Sequence, residues 1–184
     1  MLNSNQKKII KIIKSGGVVI LPTDTVYGIF CSAFDKKEVK KIYKIKGRDF
    51  SKPLQVFFSE KKSLKKYCVF NKKQKIFLNK HLPGPYTLIF KLKPQIKKLF
   101  SFLQDTIGVR IIKSRFLNQI IKYTGILAAT SANISGDKTP VLFNDISKSI
   151  IKKVDYFIID DNLIKGKPSK VIDLTDNKMK ILRK

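Results

Sequence analysis

The strongest constraint in this chain is an alternation of two apolar periods. Short apolar runs of strand length are separated by stretches in which apolar residues recur at helical spacing, and this pattern repeats to the C-terminus. Ser4 ahead of Ile9, Ile10, Ile12 and Ile13 predicts a capped helix that Gly16-Gly17 stops. A buried strand over 18–21 then ends at Pro22, and a second over 26–30 follows the polar corner Thr23-Asp24-Thr25. The spacing predicts a helix over 36–46, a strand over 54–58, one or two helices across 64–82, and a strand over 86–92. Beyond it come strands over 107–112 and 126–130 around a helix at 116–123, a helix over 146–154, and strands over 156–159, over 171–174 and at Ile181. Such alternation implies an α/β domain with a mixed sheet. No internal repeat, linker or composition break divides the chain, so residues 1–184 are expected to form one domain.

Charge comes next. The 184 residues carry 39 Lys and Arg against 13 Asp and Glu, a formal net charge of +26, while 13 Phe and 6 Tyr among 43% hydrophobic residues supply enough apolar surface for a core. A folded body this basic attracts polyanions and disfavours cationic substrates. The excess is almost all lysine, which can reflect the composition of the coding sequence as readily as selection for binding. The four arginines, Arg48, Arg110, Arg115 and Arg183, are therefore more informative, because a planar two-pronged donor has no lysine substitute. Cys31 and Cys68 share no metal-binding or disulfide spacing, which excludes a zinc module and fits a reducing cytoplasm. No apolar run reaches the roughly 20 residues of a membrane span, so no membrane association is expected.

Polar signals collect at the predicted strand ends, where α/β folds place ligands. The corners are Pro22-Thr23-Asp24-Thr25, Lys46-Gly47-Arg48 with Lys52-Pro53, Thr130 to Gly136, and Gly166-Lys167-Pro168-Ser169. Each alone also reads as a turn whose side chains bond their own backbone. Lys46 and Arg48 flank a glycine at a helix end, which offers a phosphate charge and backbone access, or simply complements the helix dipole. Arg110 ends an apolar strand run and demands an anion there, either a ligand or one of the few carboxylates. Neither glycine-rich nucleotide signature is present, the single histidine His81 reads as a capping or surface residue, and no carboxylates have the spacing of a metal cage. Chemistry on such a chain rests on positioning and electrostatics.

Taken together and in order, Pro22-Thr23-Asp24-Thr25-Val26-Tyr27-Gly28, Lys46-Gly47-Arg48 with Pro53-Leu54, Pro83-Gly84-Pro85-Tyr86-Thr87-Leu88, Gly108-Val109-Arg110, Ser131-Ala132-Asn133-Ile134-Ser135-Gly136 and Ser169 before Val171-Ile172-Asp173 resemble the YrdC/TsaC family of L-threonylcarbamoyladenylate synthases. The likeness runs from about Ser15 to Arg183 and is closest to the short form without an additional C-terminal domain. It implies a single α/β domain with a twisted mixed sheet and flanking helices around a basic cavity. It also implies the reaction: L-threonine, bicarbonate and ATP give threonylcarbamoyl-AMP and pyrophosphate, for later transfer by a threonylcarbamoyl transferase complex to the adenosine beside the tRNA anticodon.

By motif position the resemblance assigns Thr25, Arg110, Ala129 and Ser169 to threonine, with Arg110 taking the carboxylate through a two-pronged pair. Lys46, Arg48, Lys52, Thr106, Ser131, Asn133, Thr139 and Arg183 fall around ATP, with Lys46, Arg48, Ser131 and Asn133 as the catalytic set. Magnesium is expected on the ATP phosphates, with no protein ligands. Two departures stand out: Phe57 where many members have histidine, which removes a polar contact to substrate, and Lys170 where threonine is usual. The alternatives are an RNA-binding module that uses the lysines on tRNA or double-stranded RNA, and a related carbamoyl transferase of the kind found in hydrogenase maturation.

Overall fold

Strand residues one apart face opposite sides of a sheet, and here both sides are covered by helices. The computed structural model describes residues 1–176 and 178–184. In chain order the elements are α1 (Ser4–Lys14), β1 (Val19–Leu21), β2 (Gly28–Ser32), α2 (Lys36–Lys46), β3 (Gln55–Phe57), α3 (Leu64–Tyr67), β4 (Cys68–Val69), α4 (Lys72–His81), β5 (Tyr86–Leu92), β6 (Thr106–Arg110), α5 (Arg115–Thr124), β7 (Leu127–Ser131), α6 (Lys148–Ile151), β8 (Tyr156–Phe157), β9 (Lys170–Asp173) and β10 (Lys180–Arg183). The strands form one open, twisted mixed sheet in the order β10-β9-β5-β6-β3-β7-β2-β1-β8, with β4 beside β5. The pairs β1–β8, β3–β6 and β5–β9 are parallel and the others antiparallel, so the α/β expectation with a mixed sheet holds.

Val19, Leu21, Phe30, Phe57, Leu127 and Ala129 face one side of the sheet, where Ile9, Ile10 and Ile13 of α1 and Leu117, Ile120 and Ile121 of α5 close over them. Ile20, Ile29, Cys31, Val56, Val109 and Ala128 face the other side, which Val39, Ile42, Tyr43 and Ile45 of α2 and Leu64 and Leu78 of α3 and α4 cover. Gln6 is the polar member of the α1–α5 seam, and its amide donates to Phe116 O (3.0 Å) and Gln119 Oε1 (2.9 Å). Each buried donor is thus matched by an acceptor on the facing helix.

Several boundaries differ from expectation for local reasons. Helix α1 is capped by Asn3 and not by Ser4: Asn3 Oδ1 accepts from Gln6 N at 2.8 Å while Gln6 Oε1 accepts from Asn3 N at 3.0 Å, a reciprocal arrangement that Ser4 has no glutamine at the right spacing to make. The second strand starts at Gly28 because Val26 and Tyr27 belong to the corner, which Thr23 holds through bonds to Val26. Between the helices of the 64–82 stretch lies β4, too short for periodicity to reveal. The helix expected over 146–154 shrinks to one turn at Lys148–Ile151, capped by Ser147.

Ile120 is fully buried between α1 and the sheet. Ile120→Ala is expected to lower unfolding stability by about 2–5 kcal/mol without changing the denaturant slope, as measured by urea unfolding.

Candidate active site

The turn between β1 and β2 is built by one hydroxyl. Thr23 Oγ1 donates to Val26 O at 2.7 Å, accepts from the Thr25 and Val26 amides at 3.2 Å each, and lies 2.9 Å from Thr25 Oγ1. This self-bonded turn, which is one of the readings of the corner, also presents Asp24 and Thr25 to Arg110. Arg110 ends β6 and is 3% exposed. Its Nη2 donates to Asp24 Oδ1 at 2.6 Å and to Thr25 Oγ1 at 3.2 Å, while its buried Nε has no partner. Phe57, its register partner on the parallel strand β3, lies under the guanidinium with 4.9 Å between ring centroid and Cζ. Burial pushes the Arg110 pKa down to about 10, against the pull of Asp24 and with a further push from Arg183. Burial also raises the Asp24 carboxyl above its ordinary range, outweighing Arg110. Both alternatives for Arg110 are therefore present in part: it has a protein carboxylate on Nη2 and an unused donor at Nε.

The end of α2 supplies the next two cations. Gly47 terminates the helix in the left-handed region (φ 57°), so the chain reverses and Lys46 and Arg48 part. Lys46 turns inward and is 1% exposed; its Nζ donates to the carbonyls of Ser131 (2.5 Å) and Asn133 and lies 3.4 Å from Asn133 Oδ1. Burial, helped by Arg48, lowers its pKa to about 8. Ser131 Oγ donates to Asn133 Oδ1 at 2.5 Å, and Asn133 Nδ2 donates to Ile134 O and Asp137 O, which fixes this loop from both sides. Arg48 lies across the Lys52 and Pro53 carbonyls at 3.0 and 3.2 Å, and burial lowers its pKa.

The fourth cation arrives from the far edge of the sheet. The register of β9 and β10 shifts between Ile181 and Arg183. Such an irregularity re-aims a side chain. Arg183 then reaches Ser169, donating from Nε to its carbonyl at 2.9 Å and from Nη2 to its hydroxyl at 3.1 Å, and Ser169 Oγ in turn lies 2.8 Å from Thr87 Oγ1. Burial lowers the Arg183 pKa as well.

These groups surround a cavity of about 120 Å³ whose wall includes Thr23, Gly28, Arg48, Phe57, Arg110, Ala129, Ser131, Ser169 and Arg183. Gly28 is needed there, since a Cβ would sit 2.7 Å from the Phe30 ring. Of the residues singled out in the sequence, Arg48, Arg110, Ala129, Ser131, Ser169 and Arg183 line the cavity. Thr25 touches Arg110, and Lys46 and Asn133 stand behind Ser131. Lys52 reaches the site through its carbonyl on Arg48. Thr106 lines a separate cleft with Phe50 and Phe102, and Thr139 is not on the cavity wall. Asp24 and the platform role of Phe57 were not assigned from sequence; the demand of Arg110 for an anion was the signal for the first. Asp24 lines a different cleft of about 620 Å³, with Lys80, His81, Lys113 and Lys165. His81 stacks on Phe77 at 3.9 Å and bonds Phe77 O through Nδ1, a satisfied residue at the end of its helix. Among the described residues no three His, Cys, Asp or Glu side chains gather as a metal cage, and no helix is long and apolar enough to cross a membrane.

A cavity with three arginines and small hydroxyls suits an anionic ligand with several oxygens. The model of the Sua5/YciO/YrdC family, described as "Telomere recombination", matches residues 11–184. A Methanocaldococcus jannaschii protein provisionally named a threonylcarbamoyl-AMP synthase is 38% identical over 97% of this chain and 86% of its own. The threonylcarbamoyl-AMP synthase of Pyrococcus abyssi is 30% identical over 89% of this chain, which spans 49% of that protein, about half its length. The crystal structure of P. abyssi Sua5 complexed with L-threonine superposes with a TM-score of 0.85 at 27% identity, covering 97% of this chain and 53% of that one. E. coli YciO superposes with a TM-score of 0.87 at 25% identity over 100% of this chain and 91% of its own. The names of the two curated relatives are those of synthases, which does not favour the RNA-binding alternative. From its second helical turn to its last residue, this chain belongs to the Sua5/YciO/YrdC family.

Proposed function

We propose that this protein is an L-threonylcarbamoyladenylate synthase, a nucleotidyltransferase that joins L-threonine, bicarbonate and ATP into threonylcarbamoyl-AMP and pyrophosphate. The observation that carries the reading is the convergence of Arg48, Arg110 and Arg183, three of the four arginines, on one cavity in a chain whose positive charge is almost all lysine. The threonine complex of the P. abyssi relative supports the amino acid as ligand. In this reading Arg110 and Ser169 hold the threonine carboxylate, with Thr25 and the backbone at Ala129 beside it. Arg48 and Arg183 act on the triphosphate from the cavity wall, Lys46 from behind Ser131 and Lys52 from beside Arg48; Ser131 and Asn133 belong to the nucleotide region, and Thr106 and Thr139, off the cavity wall, to its outer part. Because Nη2 of Arg110 is already shared by Asp24 and Thr25, the substrate carboxylate is assigned to its remaining donors and to Ser169.

The threonine amine attacks carbon dioxide with loss of a proton, or bicarbonate with loss of water, to give a carbamate, and a carbamate oxygen then forms a bond to the α-phosphorus as the bond to pyrophosphate breaks. Charge builds on the leaving pyrophosphate, where preorganised cations lower the barrier because they need no reorientation. The cavity wall carries arginines and no free carboxylate, a donor set that does not fit a protein-held cation. Magnesium is assigned to the ATP phosphates, and no residue is given a step through it. Transfer of the product to tRNA is left to a separate transferase complex, and direct contact with tRNA or double-stranded RNA is not part of the site.

Incubation with labelled bicarbonate, threonine and ATP tests the reading: threonylcarbamoyl-AMP and pyrophosphate are expected in equal amounts, and a folded protein that forms neither refutes it. Arg110→Lys is expected to raise the threonine KM by about tenfold or more, since a point charge keeps attraction but loses the fork. Lys46→Ala is expected to lower the rate by a factor on the order of a hundred, the loss of one preorganised cation or of the loop it holds. The sign of the pH dependence follows from the same residue. Its cationic form dominates below about 8 and is lost above it, so the wild-type rate should fall as pH rises through that value.

A further inference from the structure

We infer that Asp24 is a positioning residue that grips Arg110 from behind the cavity and thereby sets the affinity for the substrate carboxylate; this rests on the threonine reading above. The placement of the two residues carries the argument. Arg110 lines the cavity, whereas Asp24 is not on its wall and lines a second cleft. The bond between them, 2.6 Å from Nη2 to Oδ1, thus joins a residue of the cavity wall to one outside it. In this arrangement a carboxylate arriving in the cavity uses guanidinium donors that Asp24 does not occupy, and Asp24 stays in place.

Asp24 and Thr25 together occupy Nη2, and the Phe57 ring supports the guanidinium plane. This pins one corner of the fork and one of its faces, and leaves Nε buried without a partner. A freely rotating arginine would lose that orientation, and a bidentate pair depends on it. The ion pair also has little reason to exist for stability. Its side chains are only 4% and 14% exposed, and burial drives both members toward their neutral forms. A buried pair of this kind contributes little net stabilisation compared with apolar residues of the same shape, so its value lies in geometry. The charged and titratable groups around Asp24 are Arg110 from β6, Lys165 from the segment before Gly166, and Lys80, His81 and Lys113 in the same cleft. Of these, Arg110 is its ion-pair partner.

The contrary role, Asp24 as an internal competitor that the substrate carboxylate must evict, makes the opposite prediction. Removing a competitor tightens threonine binding, whereas removing a grip weakens it. Threonine dissociation constants measured by calorimetry, together with KM values for threonine and ATP, distinguish the two in wild type, Asp24→Asn and Asp24→Glu. Expected for Asp24→Asn is a threonine dissociation constant raised about tenfold or more, an ATP KM changed less than about twofold, and partial recovery in Asp24→Glu. Unchanged or tighter threonine binding, or equal losses for threonine and ATP, overturns the positioning role. If Asp24→Asn does not fold, the wild-type protein gives the answer. Its threonine affinity should weaken as pH is lowered from neutral and Asp24 takes up a proton; affinity independent of pH over that range overturns the proposal. Failure of the synthase reading is seen separately: wild type would then form no threonylcarbamoyl-AMP, whereas a failure of the present inference leaves wild-type synthesis intact.

Discussion

Guanidinium charges repel one another, and the interior of a small sheet protein screens that repulsion poorly. Here Arg48, Arg110 and Arg183 share one cavity and all three have lowered pKa values, each with burial as the leading cause. One carboxylate, Asp24, is ion-paired with the set. The free energy of this arrangement is unfavourable for the empty fold and favourable once an anion lies between the cations. Everything around the cavity can be read as holding these charges in place against their own repulsion. Carbonyls of Lys52 and Pro53 hold Arg48, the β1–β2 corner holds Arg110, and Ser169 holds Arg183.

The sheet makes this possible because its order brings distant parts of the chain to one place. Strands β3, β6 and β7 are adjacent, so Phe57, Arg110 and Leu127 lie side by side although the intervening chain exceeds 50 residues before Arg110. The antiparallel pairing of β2 with β7 puts Gly28 opposite Ser131, which joins the first corner to the serine–asparagine loop. Lys46 then ties that loop to the end of α2, while the Ser135 amide donates back to Lys46 O at 2.8 Å. Carbonyl dipoles hold this lysine, and its burial, helped by the nearby charge of Arg48, makes its proton easier to lose than that of a surface lysine.

Much of the fold was legible because α2, β5 and α5 have apolar residues at unbroken periods and plain stops, and these appear within a residue or two of where the spacing puts them. The parts that were not legible depend on single hydrogen bonds or on other strands. Asn3 outcompetes Ser4 as a cap only because Gln6 answers it, and β4 exists only because β5 is there to pair with. The site divides the same way. Arg48, Arg110 and Arg183 could be picked out against a lysine background, but the partnership of Arg110 with Asp24 requires the corner to fold over β6, which no spacing in the chain reveals. Lys46 was legible as important, yet its enclosure behind Ser131 is a tertiary fact.

The remaining charge has a different physical standing from that of the three arginines. Lysines spread over the surface act through a field that falls off over about 10 Å at moderate salt, so they raise the local concentration of any polyanion without choosing among them. A nucleoside triphosphate and an RNA backbone feel that field alike. Selection begins only inside the cavity, where the guanidinium donors have fixed directions and the wall is narrow, and where a phosphate must match those directions to repay the loss of its water. The +26 of the chain therefore bears on how fast an anion arrives, and the geometry of three arginines bears on which anion stays.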